Sequence, residues 1–259
     1  MGRFTLPELF GLPTGWVVLG VILMALFMFW GAEKLEKIIG KKEEAEPKWR
    51  LYGAGGLILV ALAGIAIGQP TNADRWGRIA AEKDALLTER AVYIHPGELL
   101  HTLHDHKLDT VMIDVRSEAD YNLFHIADSQ RVDIDDLIKR AKDYNLAPEN
   151  TVFVVMSNDE AAATEAWKIL VAESIPNVYI LEGGINGWLD TFAHEEDDGI
   201  EHIKDSAHTE DSLRYTFVAA LGASFEAADP HFNEWEKVLE YTPKIKLQRK
   251  TGPSGGGCG

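Results

Sequence analysis

From Val92 to about Asp190 the sequence alternates between short apolar runs and segments with helical periodicity, and this pattern limits the possible folds most strongly. The runs are rich in valine and isoleucine and have the length of strands; they are VYI, TVMIDV, RVDI, TVFVVM and NVYIL. Each is followed by a segment in which apolar residues recur with the period of a helix. Strands and helices that alternate in this way form parallel α/β sheets. We therefore predict a parallel sheet flanked by helices, with functional groups at the carboxyl ends of the strands.

Two long stretches near the amino terminus carry no charged residue. They cover residues 10–32 and 51–73, and each is long enough for the hydrocarbon core of a bilayer, which takes about 20 apolar residues. Aromatic residues lie near their ends, as at membrane interfaces. The alternatives are a cleaved signal peptide for the first stretch and a buried helix for the second. The first has only Arg3 before it and shows no clear cleavage site, so we predict a two-helix transmembrane hairpin.

The loop between the two stretches, residues 33–50, is rich in lysine and arginine. Short loops of this kind face the cytoplasm, so we expect both termini and the soluble part on the opposite side. In a bacterium this predicts an integral protein of the inner membrane with a periplasmic soluble domain. The lipid bilayer is then a partner of the chain.

The second apolar stretch contains the pair Gly64-x-x-x-Gly68. Small residues at this spacing allow two membrane helices to approach closely. The pair could hold the two helices of the hairpin together or could accept a helix of a partner subunit. The sequence leaves both interpretations open.

Four parts follow from the composition. The hairpin covers residues 1–73, and residues 74–91 have the pattern of a helical connector. The α/β domain covers residues 92–190. Residues 191–259 form an acidic tail, in which SLRYTFVAALGASF is compatible with a helix and which ends in a glycine-rich arm.

The net charge of −16 argues against nucleic-acid binding, which needs a basic surface to neutralise phosphates. The histidines of residues 101–106 lie close together, but no cysteine or clear carboxylate completes a metal site. A solvated acidic segment explains the histidines of residues 194–208. We predict no metal, no cofactor and no nucleic-acid partner.

Two motifs in the α/β domain resemble those of rhodanese-like domains. MIDVRSEADYNLFHIADS carries the Asp-x-Arg, Glu and His-Ile of that family, and VYILEGGINGWL carries its Leu-x-Gly-Gly-x-x-x-Trp. Phe124 stands where the family has a glycine before the histidine. The resemblance covers residues 92–190 and implies a rhodanese-like parallel sheet and a link to sulfane sulfur. The matching residues are Asp114, Arg116, Glu118, His125, Ile126, Gly183, Gly184 and Trp188.

The resemblance also locates the family's catalytic cysteine, which follows the fourth strand and opens a loop into a helix. Here that position is Ser157. A serine hydroxyl does not ionise usefully at neutral pH without a base, and it cannot carry a persulfide. Asp159 and Glu160 in the same loop would repel an anionic sulfur donor. We therefore expect that the domain is not an active thiosulfate sulfurtransferase.

Structural roles explain the remaining motif residues. Ser157 and Glu160 have the spacing of a capping box, which predicts that the loop only starts a helix. A triad of Ser157, Asp159 and His125 has the right composition for hydrolysis, but such a triad is recognised by geometry. Arg116 can pair with a carboxylate such as Glu118. The two adjacent glycines are expected at a turn with positive φ or a close backbone approach.

Cys258 is the only cysteine of the chain, so an intramolecular disulfide is impossible. The glycines before it would give it reach. This segment is similar to the glycine-rich, cysteine-bearing end of the sulfur-carrier protein of bacterial thiosulfate oxidation, and to the ends of some small membrane selenoproteins. The similarity implies a sulfur carrier or redox thiol, and the alternative is an incidental exposed thiol.

Three functional hypotheses result. In the first, a membrane-anchored, catalytically degenerate rhodanese-like protein docks a partner of sulfur metabolism, and Cys258 carries sulfur. In the second, the chain is a non-catalytic accessory or scaffold subunit of a membrane complex. In the third, Cys258 folds back over the Ser157 loop and acts as a true sulfurtransferase. The acids of that loop make the third hypothesis the least favoured.

Overall fold

The computed structural model describes residues 14–40, 49–67, 70–193, 200–203, 211–217, 220, 222–235 and 238–248. The chain divides into two compact units, residues 1–71 and residues 72–259. The first unit holds helices α1 (Thr14–Gly40) and α2 (Trp49–Ile67), which contact each other. They fall where the sequence predicts the hairpin, and many of their large apolar side chains are exposed, including Phe27, Phe29 and Val60.

Over the described ranges, no helix combines the length and the apolar character needed to cross a membrane. Gly64 lies in α2. Its predicted packing partner, Gly68, is outside the described residues.

The second unit is built on a five-stranded sheet, and all of its strand pairs are parallel. The strand order is β1-β5-β4-β2-β3. This confirms the predicted α/β fold with a parallel sheet. The strands are β1 (Tyr93–Ile94), β2 (Asp109–Asp114), β3 (Gln130–Arg131), β4 (Thr151–Met156) and β5 (Val178–Leu181).

Helices cover the sheet and connect its strands. They are α3 (Asn72–Thr88), α4 (Pro96–His104), α5 (Glu118–Leu123), α6 (Leu137–Tyr144), α7 (Ala161–Ala172), α8 (Gly184–Phe192) and α9 (Phe232–Trp235), with 3₁₀ turns at Ile134–Asp136 and Glu226–Ala228.

The central strand β4 shows why its sequence is apolar without interruption. Val154 and Met156 belong to the core on one face of the sheet, together with Trp188. Phe153 lies in the core on the other face, together with Trp167. Because helices cover both faces, every position of the strand is buried.

The predicted connector is helix α3, and it packs on the domain. The ring of Trp76 meets Trp167 of α7 edge-on, with centroids 6.0 Å apart. Arg75 forms an ion pair with Glu173, and Asn72 Nδ2 donates to the carbonyl of Ile169 at 3.0 Å. These contacts tie α3 to helix α7.

Part of the tail is ordered against the domain. Strands β6 (Ile200–His202) and β7 (Tyr215–Phe217) pair antiparallel, so the helix considered for residues 212–225 is wrong at β7. Tyr215 and Phe217 flank an exposed Thr216, and this alternation suits a strand with one buried face. Residues 241–248 form neither a helix nor a strand, and Glu98 Oε1 accepts hydrogen bonds from the amides of Lys244 and Ile245 at 2.6 and 2.7 Å.

Candidate functional site

The loop after β4 lies at the carboxyl ends of the strands. Ser157 follows the strand directly and is 1% exposed. Its Oγ accepts a hydrogen bond from the amide of Ala163, at 3.1 Å. Helix α7 begins at Ala161, and the first amides of a helix have no partner within it. The hydroxyl of Ser157 therefore serves as an acceptor that stabilises the start of α7.

The capping box predicted for Ser157 and Glu160 is not formed. Glu160 precedes the helix, but its side chain does not cap it. Its carboxylate accepts hydrogen bonds from the amide of Gly183 at 2.7 Å and from Arg90 at 2.7 and 3.0 Å. Charged partners make stronger hydrogen bonds than a neutral amide does. The Ser-x-x-Glu motif is local and does not include Arg90, which lies 70 positions before Glu160. The predicted capping box is therefore wrong.

Arg90 joins two carboxylates at this edge of the sheet. Besides Glu160 it contacts Glu182, at 3.0 Å, and its guanidinium lies 4.2 Å from the centre of the Tyr93 ring. The hydrogen bond with Glu160, followed by the contact with Glu182, raises the pKa of Arg90 above its ordinary value despite partial desolvation. The guanidinium is therefore a permanent positive charge beside the loop.

Asp159 is paired as well. Its Oδ1 lies 2.5 Å from Nη2 of Arg214 and accepts a hydrogen bond from Nδ2 of Asn186 at 2.9 Å. We expected Asp159 and Glu160 to repel anions, but each carboxylate lies against an arginine. Sequence patterns do not single out Arg214, because it belongs to an acidic segment and lies 55 positions away from Asp159.

The backbone of the loop holds a carboxylate from the tail. Oδ1 of Asp211 accepts a hydrogen bond from the amide of Asp159, and its Oδ2 accepts one from the amide of Ala162, both at 2.7 Å. Amides of a turn and of a helix start are well suited to bind an anion. The anion-binding position of this loop is therefore occupied by the chain itself.

Two buried asparagines fasten the segment that carries Asp211. Nδ2 of Asn158 donates to the carbonyl of Asp211 at 3.1 Å. Asn186 donates from Nδ2 to the carbonyl of Ser212 at 2.9 Å and accepts from the amide of Arg214 at 2.8 Å. Asn158 and Asn186 are 4% and 0% exposed, so these partly buried bonds are stronger than the same bonds in water.

The motif residues at the end of β2 contact the Ser157 loop from within the core. Arg116 pairs with Asp114, with Nη2 2.7 Å from Oδ2, and not with Glu118 as we considered. Glu118 is exposed in the first turn of α5, where the helix dipole favours a carboxylate. Asp114 lies two positions before Arg116 at the buried strand end, so it reaches the guanidinium without leaving the core.

Gly183 and Gly184 form the turn between β5 and α8, with φ of 69° and 60°. A Cβ on Gly184 would lie 1.9 Å from the carbonyl oxygen of Asp159. The amide of Ile185 donates to the carbonyl of Ser157 at 2.8 Å. Only glycine allows this approach, so the glycine pair brings the start of α8 against the loop.

His125 and Trp188 have structural contacts. Nδ1 of His125 lies 2.8 Å from the carbonyl oxygen of Tyr121, and its ring stacks on the Tyr121 ring at 3.9 Å. Trp188 is fully buried and donates from Nε1 to the carbonyl of Ala227 at 2.6 Å. Among the described residues no hydrogen bond joins Ser157 to His125 or to Asp159, so the hydrolytic triad is not assembled.

A pocket of about 370 Å³ lies beside the loop. Its lining mixes acidic, basic and hydroxyl side chains, and the acids are those already paired with arginine. The lining residues are Tyr93, Asp159, Glu160, Ala161, Thr164, Gly183 and Arg214.

Within the ranges that the structure covers, no group of three or more metal-ligating side chains comes together. His101 and His104 pack on the ring of Phe232, with centroids 5.5 and 4.8 Å apart. His202 packs edge-on against Tyr215 at 5.1 Å. These rings contribute to packing. Cys258 lies outside the described residues.

Residues 95–191 match the family model described as "Rhodanese-like domain". This part of the chain is a rhodanese-like domain, a type of domain linked to sulfur transfer. No curated protein sequence matches the chain.

Solved structures that match part of this chain come from several organisms. The Alr3790 protein from Anabaena sp. is 22% identical with a TM-score of 0.34, and the match covers 38% of this chain and 77% of that one. A rhodanese-like domain protein from Staphylococcus aureus is 20% identical with a TM-score of 0.32, and covers 37% of this chain and 89% of its own. A rhodanese-related protein from Thermoplasma volcanium is 18% identical with a TM-score of 0.32, and the match covers 38% of this chain and 91% of that one.

Proposed function

We propose that this protein is a catalytically degenerate rhodanese-like protein, anchored in a membrane, in which Cys258 carries sulfur for a partner of sulfur metabolism. The observation that carries this proposal is the identity of residue 157 and the hydrogen bond that its hydroxyl makes. It stands where the family motif implies a cysteine, and its hydroxyl accepts the amide of Ala163. A thiolate is the sulfur nucleophile in such chemistry, and a hydroxyl in this position cannot replace it.

The surroundings of Ser157 support the loss of activity. A serine becomes a nucleophile when an adjacent base removes its proton. Over the described residues its hydrogen bond is with a backbone amide, and His125 is bonded to the carbonyl of Tyr121 instead. The nearest amides of the loop already bind the carboxylate of Asp211. In this proposal the domain binds a partner protein and does not catalyse a reaction.

The membrane anchor is supported by the amino-terminal sequence. Residues 10–32 and 51–73 carry no charge, and exposed apolar side chains line both α1 and α2. Side chains such as Phe29, at 73% exposure, are costly to leave in water and favourable in lipid. The lysine-rich loop between the two stretches favours a periplasmic position for residues 72–259.

The direction of the tail supports a carrier role for Cys258. Lys244 Nζ donates to the carbonyl of Tyr93 at 2.6 Å, and four positions later the amide of Gln248 donates to Asn177 Oδ1 at 2.6 Å. Asn177 precedes β5, so the chain reaches the amino ends of the strands, opposite the Ser157 loop. Cys258 lies ten positions further along the sequence, and in this proposal it serves a partner's active site and not the Ser157 loop.

The proposal is tested on full-length protein purified without reductant and incubated with thiosulfate, whose outer sulfur passes to the thiolate as sulfite leaves, or with polysulfide, whose terminal sulfur passes to the thiolate as the shortened polysulfide leaves. Mass spectrometry of the carboxyl-terminal peptide should find a persulfide on Cys258 that is absent from Cys258→Ser. A bare thiol under both conditions would contradict the carrier role and would favour an accessory subunit. Because Cys258 is the only thiol, labelling it in intact vesicles with a membrane-impermeant reagent also tests its predicted position.

A further inference from the structure

The amides of the Ser157 loop are arranged to bind an anion, and the tail supplies one. We propose that Asp211 is a built-in ligand of this loop, so that the rhodanese-like domain closes its own anion site. This inference rests on the proposed function in that both treat the loop as inactive. It adds that the closure depends on a residue outside residues 95–191, the part that matches the family model.

The geometry of the contact supports a specific ligand. The two oxygens of Asp211 take one amide each, from Asp159 and Ala162, at 2.7 Å. Ser157 accepts the next amide, that of Ala163, at 3.1 Å. The carboxylate and the hydroxyl therefore lie on neighbouring amides of one helix start, where a second anion would meet strong repulsion.

The backbone around Asp211 is built to present it. Asp211 has φ of 62°, a conformation that aspartate tolerates better than most residues. Asn158 and Asn186 bind the carbonyls of Asp211 and Ser212, and the ion pair between Arg214 and Asp159 closes the segment on its other side. Contacts on both sides of Asp211 therefore hold its carboxylate in place.

Three other acidic side chains near the loop have partners other than the amides that bind Asp211. Asp159 and Glu160 are directed to Arg214 and Arg90. Asp120 accepts a hydrogen bond from the side chain of Asn158, at 3.1 Å. Asp120 is thus a carboxylate in the same neighbourhood that does not contact the loop's amides, and it offers a matched control.

A thiol placed at position 157 tests the inference. In the full chain with Cys258→Ser, the substitution Ser157→Cys makes the introduced thiol the only one, and its pKa is measured from thiolate absorbance against pH. With Asp211 present, the neighbouring carboxylate should keep this pKa high. Asp211→Asn or Asp211→Gly should lower it by about one unit or more, because the freed amides then stabilise the thiolate. Glycine suits the positive φ at this position.

The control and a second measurement decide the result. Asp120→Asn should lower the thiol's pKa much less than Asp211→Gly does, and equal values in all three proteins would overturn the proposal. If the Ser157→Cys chain does not fold, hydrogen exchange of residues 157–163 is compared in wild type and Asp211→Gly. Exchange should accelerate at least about tenfold, and unchanged exchange would overturn the proposal. The sulfur state of Cys258 is independent of both readouts, so each idea can fail alone.

Discussion

Asp114 and Arg116 form an ion pair enclosed by the core, with Nη2 2.7 Å from Oδ2 and side chains that are 0% and 1% exposed. The same guanidinium donates to the carbonyl of Phe124 at 2.7 Å and to Asn158 Oδ1 at 3.4 Å. It thereby joins the end of β2, the end of α5 and the Ser157 loop. The pair therefore supports the loop from within the core.

Removing the carboxylate of this pair should be costly. Asp114→Asn leaves the charge of Arg116 buried without a counter-charge, and breaking a buried pair in this way costs about 3–5 kcal/mol. Urea unfolding should show that loss as a lower midpoint. Lys139→Ala is the control, because it removes the exposed pair with Asp136 and should leave the midpoint unchanged. A stable Asp114→Asn protein would show that the pair does not support the loop.

Gly184→Ala should disrupt the contact between α8 and the Ser157 loop. The new Cβ would lie 1.9 Å from the carbonyl oxygen of Asp159, and φ is already 60°, so backbone must move. We expect a loss of at least about 3 kcal/mol in the free energy of unfolding. Gly77→Ala is the matched control. It meets nothing within 4 Å in α3 and should stabilise by up to about 1 kcal/mol. Equal effects would contradict the close approach.

His95 should make the domain sensitive to acid. Burial lowers the pKa of His95, and this effect exceeds the opposing effects of Glu182 and Glu98. The Nδ1 atom of His95 accepts a hydrogen bond from the amide of Gly97 at 3.0 Å. The unfolded chain then binds the proton more tightly, so stability falls as pH drops below about 6.5 toward the lowered folded value.

The variant His95→Asn keeps a capping oxygen and removes this titration. Its midpoint of thermal unfolding should fall less than that of wild type between about pH 7.5 and about pH 5. His106→Asn, which removes an exposed histidine, should behave like wild type. The same pH dependence in all three proteins would show that His95 does not contribute.

Glu98 should hold the tail segment of residues 241–248 in place. Its Oε1 accepts the amides of Lys244 and Ile245, and hydrogen bonds to a charged group contribute about 1.5–3 kcal/mol each. Glu98→Ala should therefore raise the rate of tryptic cleavage after Lys244 and Lys246 about tenfold or more. Glu98→Gln retains the acceptor oxygen and should fall between Glu98→Ala and wild type. Glu165→Ala, on the exposed part of α7, should leave the rate unchanged, and a fast rate there would assign the effect to general destabilisation.

Much of the fold was predictable because local sequence patterns specify strands and helices. The run at residues 151–156 is apolar throughout, as a strand covered on both faces must be, and it is β4. The alternation around it predicted the parallel sheet. The segment at residues 212–225 does not predict strand β7, because that strand has only three residues and lies in a sequence that also suits a helix.

The sequence by itself determined the α/β architecture, the position of Ser157 at the end of β4, and the need for glycine at positions 183 and 184. Each of these depends on neighbours along the chain. The tertiary structure alone decided that Arg116 pairs with Asp114, that Arg90 and Arg214 neutralise the loop's acids, and that the carboxylate of Asp211 binds its amides. Asp211 is 49 positions from Ala162, and periodicity reports which face of an element is buried. It carries no information about which distant side chain will meet that face, because only the folded chain brings the two together.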